Sequence, residues 1–80
     1  MYFVYILRCK DGSLYTGITN DLEKRLKRHK AGLGSHYTRA KGVIGIAYSE
    51  QRPSRGAALK REVEIKSWTR QKKLDLLSSQ

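Results

Sequence analysis

Cysteine occurs once in these 80 residues, at Cys9, and proline once, at Pro53. A single thiol closes no internal disulfide, and with only two histidines, His29 and His36, it cannot complete a tetrahedral zinc site of the usual Cys/His kind. The fold has to stand on packing alone. The apolar run from Tyr2 to Leu7 is too short for a signal-peptide core or a membrane span, and no basic segment precedes it, so a cytoplasmic protein is expected. Low-complexity stretches and internal repeats are absent too, which argues for one domain over residues 1–80 with no internal boundary.

Acidic residues are scarce. Seven Asp and Glu face seventeen Lys and Arg, a formal charge of +10 on one small body. Such an excess creates a positive potential that draws in polyanions, and nucleic acid is the first partner to consider. Charge alone does not separate a nuclease from a plain binder, and a basic surface can also serve only solubility.

What is present begins with two short strand-like triplets, Phe3-Val4-Tyr5 and Tyr15-Thr16-Gly17, joined through Lys10-Asp11-Gly12. Residues 2–9 are apolar on both faces, as suits a covered strand, and residues 13–18 read as its hairpin partner. A three-residue loop with Gly12 left-handed sets Tyr5 opposite Gly17 and Leu7 opposite Tyr15, all on one side of the sheet. A two-residue Asp11-Gly12 loop would instead put the tyrosines on opposite faces, because a slip of one residue inverts the pattern. A functional role for both tyrosines needs the first register, which also gives Gly17 a purpose: space beside Tyr5 for a ligand or another backbone.

Asn20 followed by Glu23 marks a helix start, and the helix runs to about Ala31 with Gly32 as its stop. Leu22, Arg25, Leu26 and His29 share the face that packs on the sheet, while Lys24, Lys27, Arg28 and Lys30 spread over the rest. Residues 32–42 read as a loop that faces substrate through His36, Tyr37, Thr38 and Arg39. A third strand covers 43–49. Pro53-Ser54 opens a second helix, on which Ala58, Leu59, Val63 and Ile65 form an apolar arc containing Glu62. An inward carboxylate asks for a compensating cation or metal ion, and an i,i+4 ion pair with Lys66 is the plainer alternative. A short helix from about Arg70 to Leu77 closes the chain. The expected architecture is an α/β fold: a small three-stranded antiparallel sheet flanked by helices in the order β-β-α-β-α-α.

Two phenols, a guanidinium, an imidazole and a carboxylate in this order form a set suited to phosphodiester cleavage. The set resembles the GIY-YIG nuclease domain, and within it the small single-domain bacterial members. Phe3-Val4-Tyr5 and Tyr15-Thr16-Gly17 are similar to the two family triplets, Arg25 and His29 follow at matching distances, and Glu62 lies in a segment, Ala58 to Glu62, similar to the family's acidic helix. The resemblance covers nearly the whole chain. It implies metal-dependent hydrolysis without a covalent intermediate, with Glu62 holding Mg2+ or Mn2+, Tyr5 taking a proton from the attacking water and Arg25 stabilising the transition state. Tyr15 and His29 would orient phosphate or water and assist proton transfer. Gly17, Lys27, Arg28, His36, Tyr37 and Arg39 are the expected substrate contacts. A plain sheet tyrosine and a hydrogen-bonded helix histidine remain the ordinary alternatives for Tyr15 and His29.

The departures from the pattern are Phe3 in place of glycine, Thr16 in place of isoleucine, and the lack of an asparagine after Glu62. With no added recognition domain in these residues, the expected substrate is DNA chosen by structure more than by base sequence, although RNA fits the same charge. Repair, mobile-element and RNA-processing settings all stay open.

Overall fold

The structure, a computed structural model, describes residues 1–79. It contains β1 (Tyr2–Cys9), β2 (Leu14–Thr19), α1 (Leu22–Lys30), α2 (His36–Lys41), β3 (Val43–Arg52), α3 (Arg55–Lys66) and α4 (Arg70–Ser78). The sheet is antiparallel throughout in the order β2-β1-β3, so the first and most apolar strand lies at its centre. Val4, Tyr5, Ile6, Leu7 and Cys9 are all at most 1% exposed, as a strand covered on both faces must be.

The hairpin takes the three-residue register. Tyr5 pairs with Gly17 and Leu7 with Tyr15. Gly12 adopts φ +85° in the turn, and Asp11 accepts hydrogen bonds from the Ser13 amide at 3.0 Å and its hydroxyl at 2.6 Å. These bonds, with the Lys41 ammonium 3.1 Å away, hold the Asp11 carboxyl down at about 2. Both tyrosines therefore belong to one face.

Four expectations need correction. The cap of α1 is Asp21, not Asn20: its carboxylate accepts from the Lys24 amide at 3.1 Å. The far end closes as expected, with Gly32 at φ +80° and amides of Gly32 and Leu33 bonded back to the carbonyls of His29 and Arg28. The segment 32–42 is not all loop: Ser35 caps the six-residue α2 by accepting from the Thr38 amide at 3.1 Å. The third strand runs on to Arg52. Val63, placed on the apolar arc of α3, is 68% exposed. Ser54 does cap α3, accepting from the Ala57 amide at 3.1 Å.

The sheet separates two cores. On one face Val4 and Ile6 pack with Ala58 and Ile65 of α3, bordered by Trp68, Leu76 and Leu77. On the other Tyr5, Leu7 and Val43 pack with Leu22 and Leu26 of α1. An irregularity in the β1/β3 pairing lets Tyr48 oppose Ile6 while Ile46 opposes Leu7, so each joins a different core.

Candidate active site

Tyr5 is delivered by the centre of the sheet and met there by α1. Its phenolic oxygen lies 2.9 Å from Nε2 of His29, and Arg25 Nε donates to the same oxygen at 3.4 Å. The helical spacing Arg25, His29 puts both groups over the tyrosine, and His29 is 1% exposed. Gly17 stands across the strand pair, but its missing side chain leaves no room for a ligand. Tyr5 fills that space with its own ring: a Cβ at Gly17 would sit 2.5 Å from the phenolic oxygen. Gly17 is itself buried and acts by letting Tyr5 lie across it.

Tyr15 comes to the same cluster from β2. Its ring lies 5.3 Å from that of His29 and stacks on Tyr37 of α2 at 5.9 Å with 28° between planes. Tyr37 is 41% exposed and so carries the aromatic stack to the surface. Glu62 approaches from α3. Its side chain is mostly buried, and Lys66 one turn later reaches its carboxylate at 3.2 Å, so the plainer ion pair is present. The same carboxylate also acts on Tyr5, where it opposes ionisation. Among the described residues no three His, Cys, Asp or Glu side chains cluster as a ready-made metal cage.

Burial sets the protonation states. It raises the Tyr5 pKa above its ordinary value, with Arg25 pulling it down and Tyr15 and Glu62 pushing it further up. It lowers that of His29, and the Arg25 charge lowers it again. The resting pair is therefore a phenol beside a neutral imidazole. That arrangement can pass a proton from oxygen to nitrogen while Arg25 faces the negative charge that results.

Residues 1–75 match a family profile described as the GIY-YIG catalytic domain. The chain belongs to the GIY-YIG family. It is 48% identical over 77 residues to a UPF0213 protein of Staphylococcus saprophyticus, covering 96% of this chain and 94% of that one. A UPF0213 protein of Staphylococcus aureus strain N315 is 47% identical over 76 residues, with 95% and 93% covered. Among solved structures, the solution NMR structure of a UPF0213 protein from Bacillus halodurans is similar with a TM-score of 0.64 and 43% identity, spanning all of this chain and 86% of that one. Membership in the GIY-YIG family implies a nuclease, with nucleic acid as substrate, and GIY-YIG nucleases are generally dependent on divalent metal. No helix among the described residues is long and apolar enough to cross a membrane.

Around this GIY-YIG centre the remaining basic and aromatic residues spread in two directions. Arg28 shares a depression of about 180 Å³ with Lys24, Arg25, Asn20 and Asp21, so it is continuous with the centre through Arg25. Lys27 points elsewhere, exposed and 3.7 Å from Glu23. His36 and Arg39 line a second depression with Gly32, Leu33 and Ser35.

Thr38 is not the substrate-facing residue it was expected to be. It is 1% exposed, and its hydroxyl lies 2.8 Å from Nδ1 of His29 and 2.9 Å from the Ser35 hydroxyl. Gly34 lies flat against the imidazole, where any Cβ would collide with the ring, and its carbonyl accepts from Arg25 at 3.5 Å. The one sequence signal for this seat was a serine three residues before a threonine, the spacing of a helix cap.

Proposed function

We propose that this GIY-YIG domain is a divalent-metal-dependent endonuclease that hydrolyses DNA phosphodiester bonds, selecting structure more than base sequence. The observation that carries this reading is the buried cluster in which the Tyr5 oxygen contacts both His29 and Arg25, with the mostly buried carboxylate of Glu62 supplied by α3. Tyr5 takes a proton from the attacking water on its oxygen as its own hydroxyl proton passes to Nε2 of His29. Arg25 offers charge to the phosphate oxygens, and Tyr15 orients them.

Glu62 fits a single Mg2+ or Mn2+. Magnesium is commonly bound through one or two protein carboxylates, with substrate phosphates and water completing the shell, so the single hard oxygen ligand that Glu62 offers is enough. Such an ion, when bound, neutralises charge developing on the leaving oxygen. Lys66 would have to release the carboxylate.

Beyond the centre, Lys24 and Arg28 follow the backbone on one side, with Lys27 adding general attraction. Tyr37, 41% exposed with the Lys41 ammonium 6.0 Å over its ring, offers aromatic surface and charge to an unstacked base, near His36 and Arg39 in sequence. One observation favours a second reading. Because Lys66 already satisfies Glu62, the domain could act as a basic DNA- or RNA-binding module with little turnover.

Cleavage of labelled single-stranded, duplex and branched DNA, with matched RNA, separates the two. The assay compares wild type with Glu62→Gln in magnesium, manganese and chelator. Glu62→Gln is expected to lose at least about 100-fold in metal-dependent cleavage while binding is retained or tightened, as removal of a carboxylate near phosphate dictates. Binding without cutting by the wild type on every substrate would hand the case to the non-catalytic module.

A further inference from the structure

We propose that His29 carries its proton on Nδ1, set there jointly by the Tyr5 hydroxyl, which takes Nε2 as its acceptor, and by the Thr38 hydroxyl, which Ser35 and Gly34 seat to receive the Nδ1 proton. Thr38 is then a positioning residue, acting on the chemistry only through the histidine.

The hydrogen bonds of the cluster decide the direction. Arg25 has no acceptor, so its Nε–H must donate to the Tyr5 oxygen. The Tyr5 hydroxyl proton needs an acceptor of its own, and His29 Nε2 at 2.9 Å is the one in contact with it. Nε2 is therefore unprotonated, and a neutral imidazole then carries its proton on Nδ1, 2.8 Å from the Thr38 hydroxyl. Thr38 accepts that N–H, accepts again from the Ser35 hydroxyl at 2.9 Å and donates to the Ser35 carbonyl at 3.4 Å. Ser35 in turn accepts the Thr38 amide at 3.1 Å. Every donor finds an acceptor in this one orientation.

The reverse orientation fails at a definite atom. With Thr38 donating to Nδ1, the proton moves to Nε2, which must donate to Tyr5. The phenolic oxygen would then receive two N–H groups while its own O–H, on a residue 1% exposed, pointed at nothing that accepts. An unsatisfied buried donor costs about 1–3 kcal/mol. The Nδ1–H tautomer wins on that difference.

Gly34 completes the seat. Its lack of a side chain lets the backbone lie against the imidazole, and its carbonyl takes a second Arg25 N–H, so one short segment fixes both partners of the Tyr5 oxygen. The groups that face His29 are Tyr5 from β1, Tyr15 from β2, Arg25 from its own helix and Thr38 from α2.

The catalytic consequence rests on the nuclease reading; the tautomer does not. Long-range 1H–15N NMR of the histidine rings at pH 7.5 identifies which nitrogen carries the proton in wild type, Thr38→Ser and Thr38→Val. Wild type and Thr38→Ser are expected to show His29 protonated on Nδ1. Thr38→Val, which keeps the shape and loses the hydroxyl, is expected to shift His29 toward the Nε2–H form and to lower kcat by roughly tenfold or more, part of the usual general-base contribution, with KM and DNA affinity unchanged. A wild-type His29 protonated on Nε2 would overturn the inference, as would a Thr38→Val tautomer identical to wild type. The wild-type spectrum decides the first point even where a variant does not fold. An Nδ1–H tautomer in a protein that cuts no substrate would uphold the seat and sink the nuclease, whereas active protein with the other tautomer would do the reverse.

Discussion

The two faces of the sheet are built from the same central strand by opposite means. Toward α3 and α4 the contacts are apolar, Val4 and Ile6 against Ala58 and Ile65, with Glu50 at the border held by Arg61, Arg52 and the Tyr48 hydroxyl. Toward α1 and α2 a smaller apolar group around Leu7 and Val43 is joined by Tyr5, His29 and Thr38, a chain of hydrogen bonds in which each group needs its neighbour. Apolar burial is additive and forgiving of direction, but a buried polar chain is all or nothing. The first face secures the fold, and the second uses that security to hold reactive groups out of water.

This division can be broken experimentally. Ile65→Ala removes a fully buried side chain from the apolar face and should cost about 2–5 kcal/mol in urea unfolding. Turnover per folded molecule should not change, and a parallel loss of both would mean that the faces are not separable. Gly17→Ala strikes the other side, where the new Cβ meets the phenol of Tyr5. About 1–3 kcal/mol of strain is expected, together with loss of cleavage because Tyr5 leaves His29; unaltered cleavage would remove Tyr5 from the mechanism.

Acid should act on the polar face as well. Burial and Arg25 hold the His29 pKa below the unfolded value near 6.5, so the unfolded chain binds the proton first. The neutral-histidine contribution is complete above that value and falls as pH drops from it toward the lower folded pKa. Denaturant unfolding at pH 7.5 and 5.5 should show this decline in wild type and a smaller one in His29→Gln. Smallest of all, the double change Lys27→Ala, Arg28→Ala should leave stability within about 0.5 kcal/mol, since both sit on the surface. It should weaken DNA binding and flatten its dependence on salt; a salt-independent fall in turnover would instead place one of them in the chemistry.

Much of this was legible in the chain. Hydrophobic pattern and turn chemistry predicted three strands, and Lys10-Asp11-Gly12 allowed the register that unites Tyr5 with Tyr15. The i,i+4 spacing of Arg25 and His29 put them on one inward face. The seat of His29 was not legible, because α2 has six residues and almost no apolar periodicity, so Thr38 looked like one more polar loop residue. Nor was the purpose of Gly17, since both a ligand and a neighbouring side chain can fill the space beside a glycine.

The sequence by itself determined every element except α2, the net basic charge and the candidate site residues, because periodicity, turn chemistry and charge are local properties that a chain carries before it folds. Only the tertiary structure decided which groups touch. Tyr5 lies over Gly17 and against His29, and Thr38 turns inward to His29. Such contacts join residues 9 to 24 positions apart, and the energies that select among them, burial and hydrogen-bond satisfaction, exist only once the two faces have closed on the sheet.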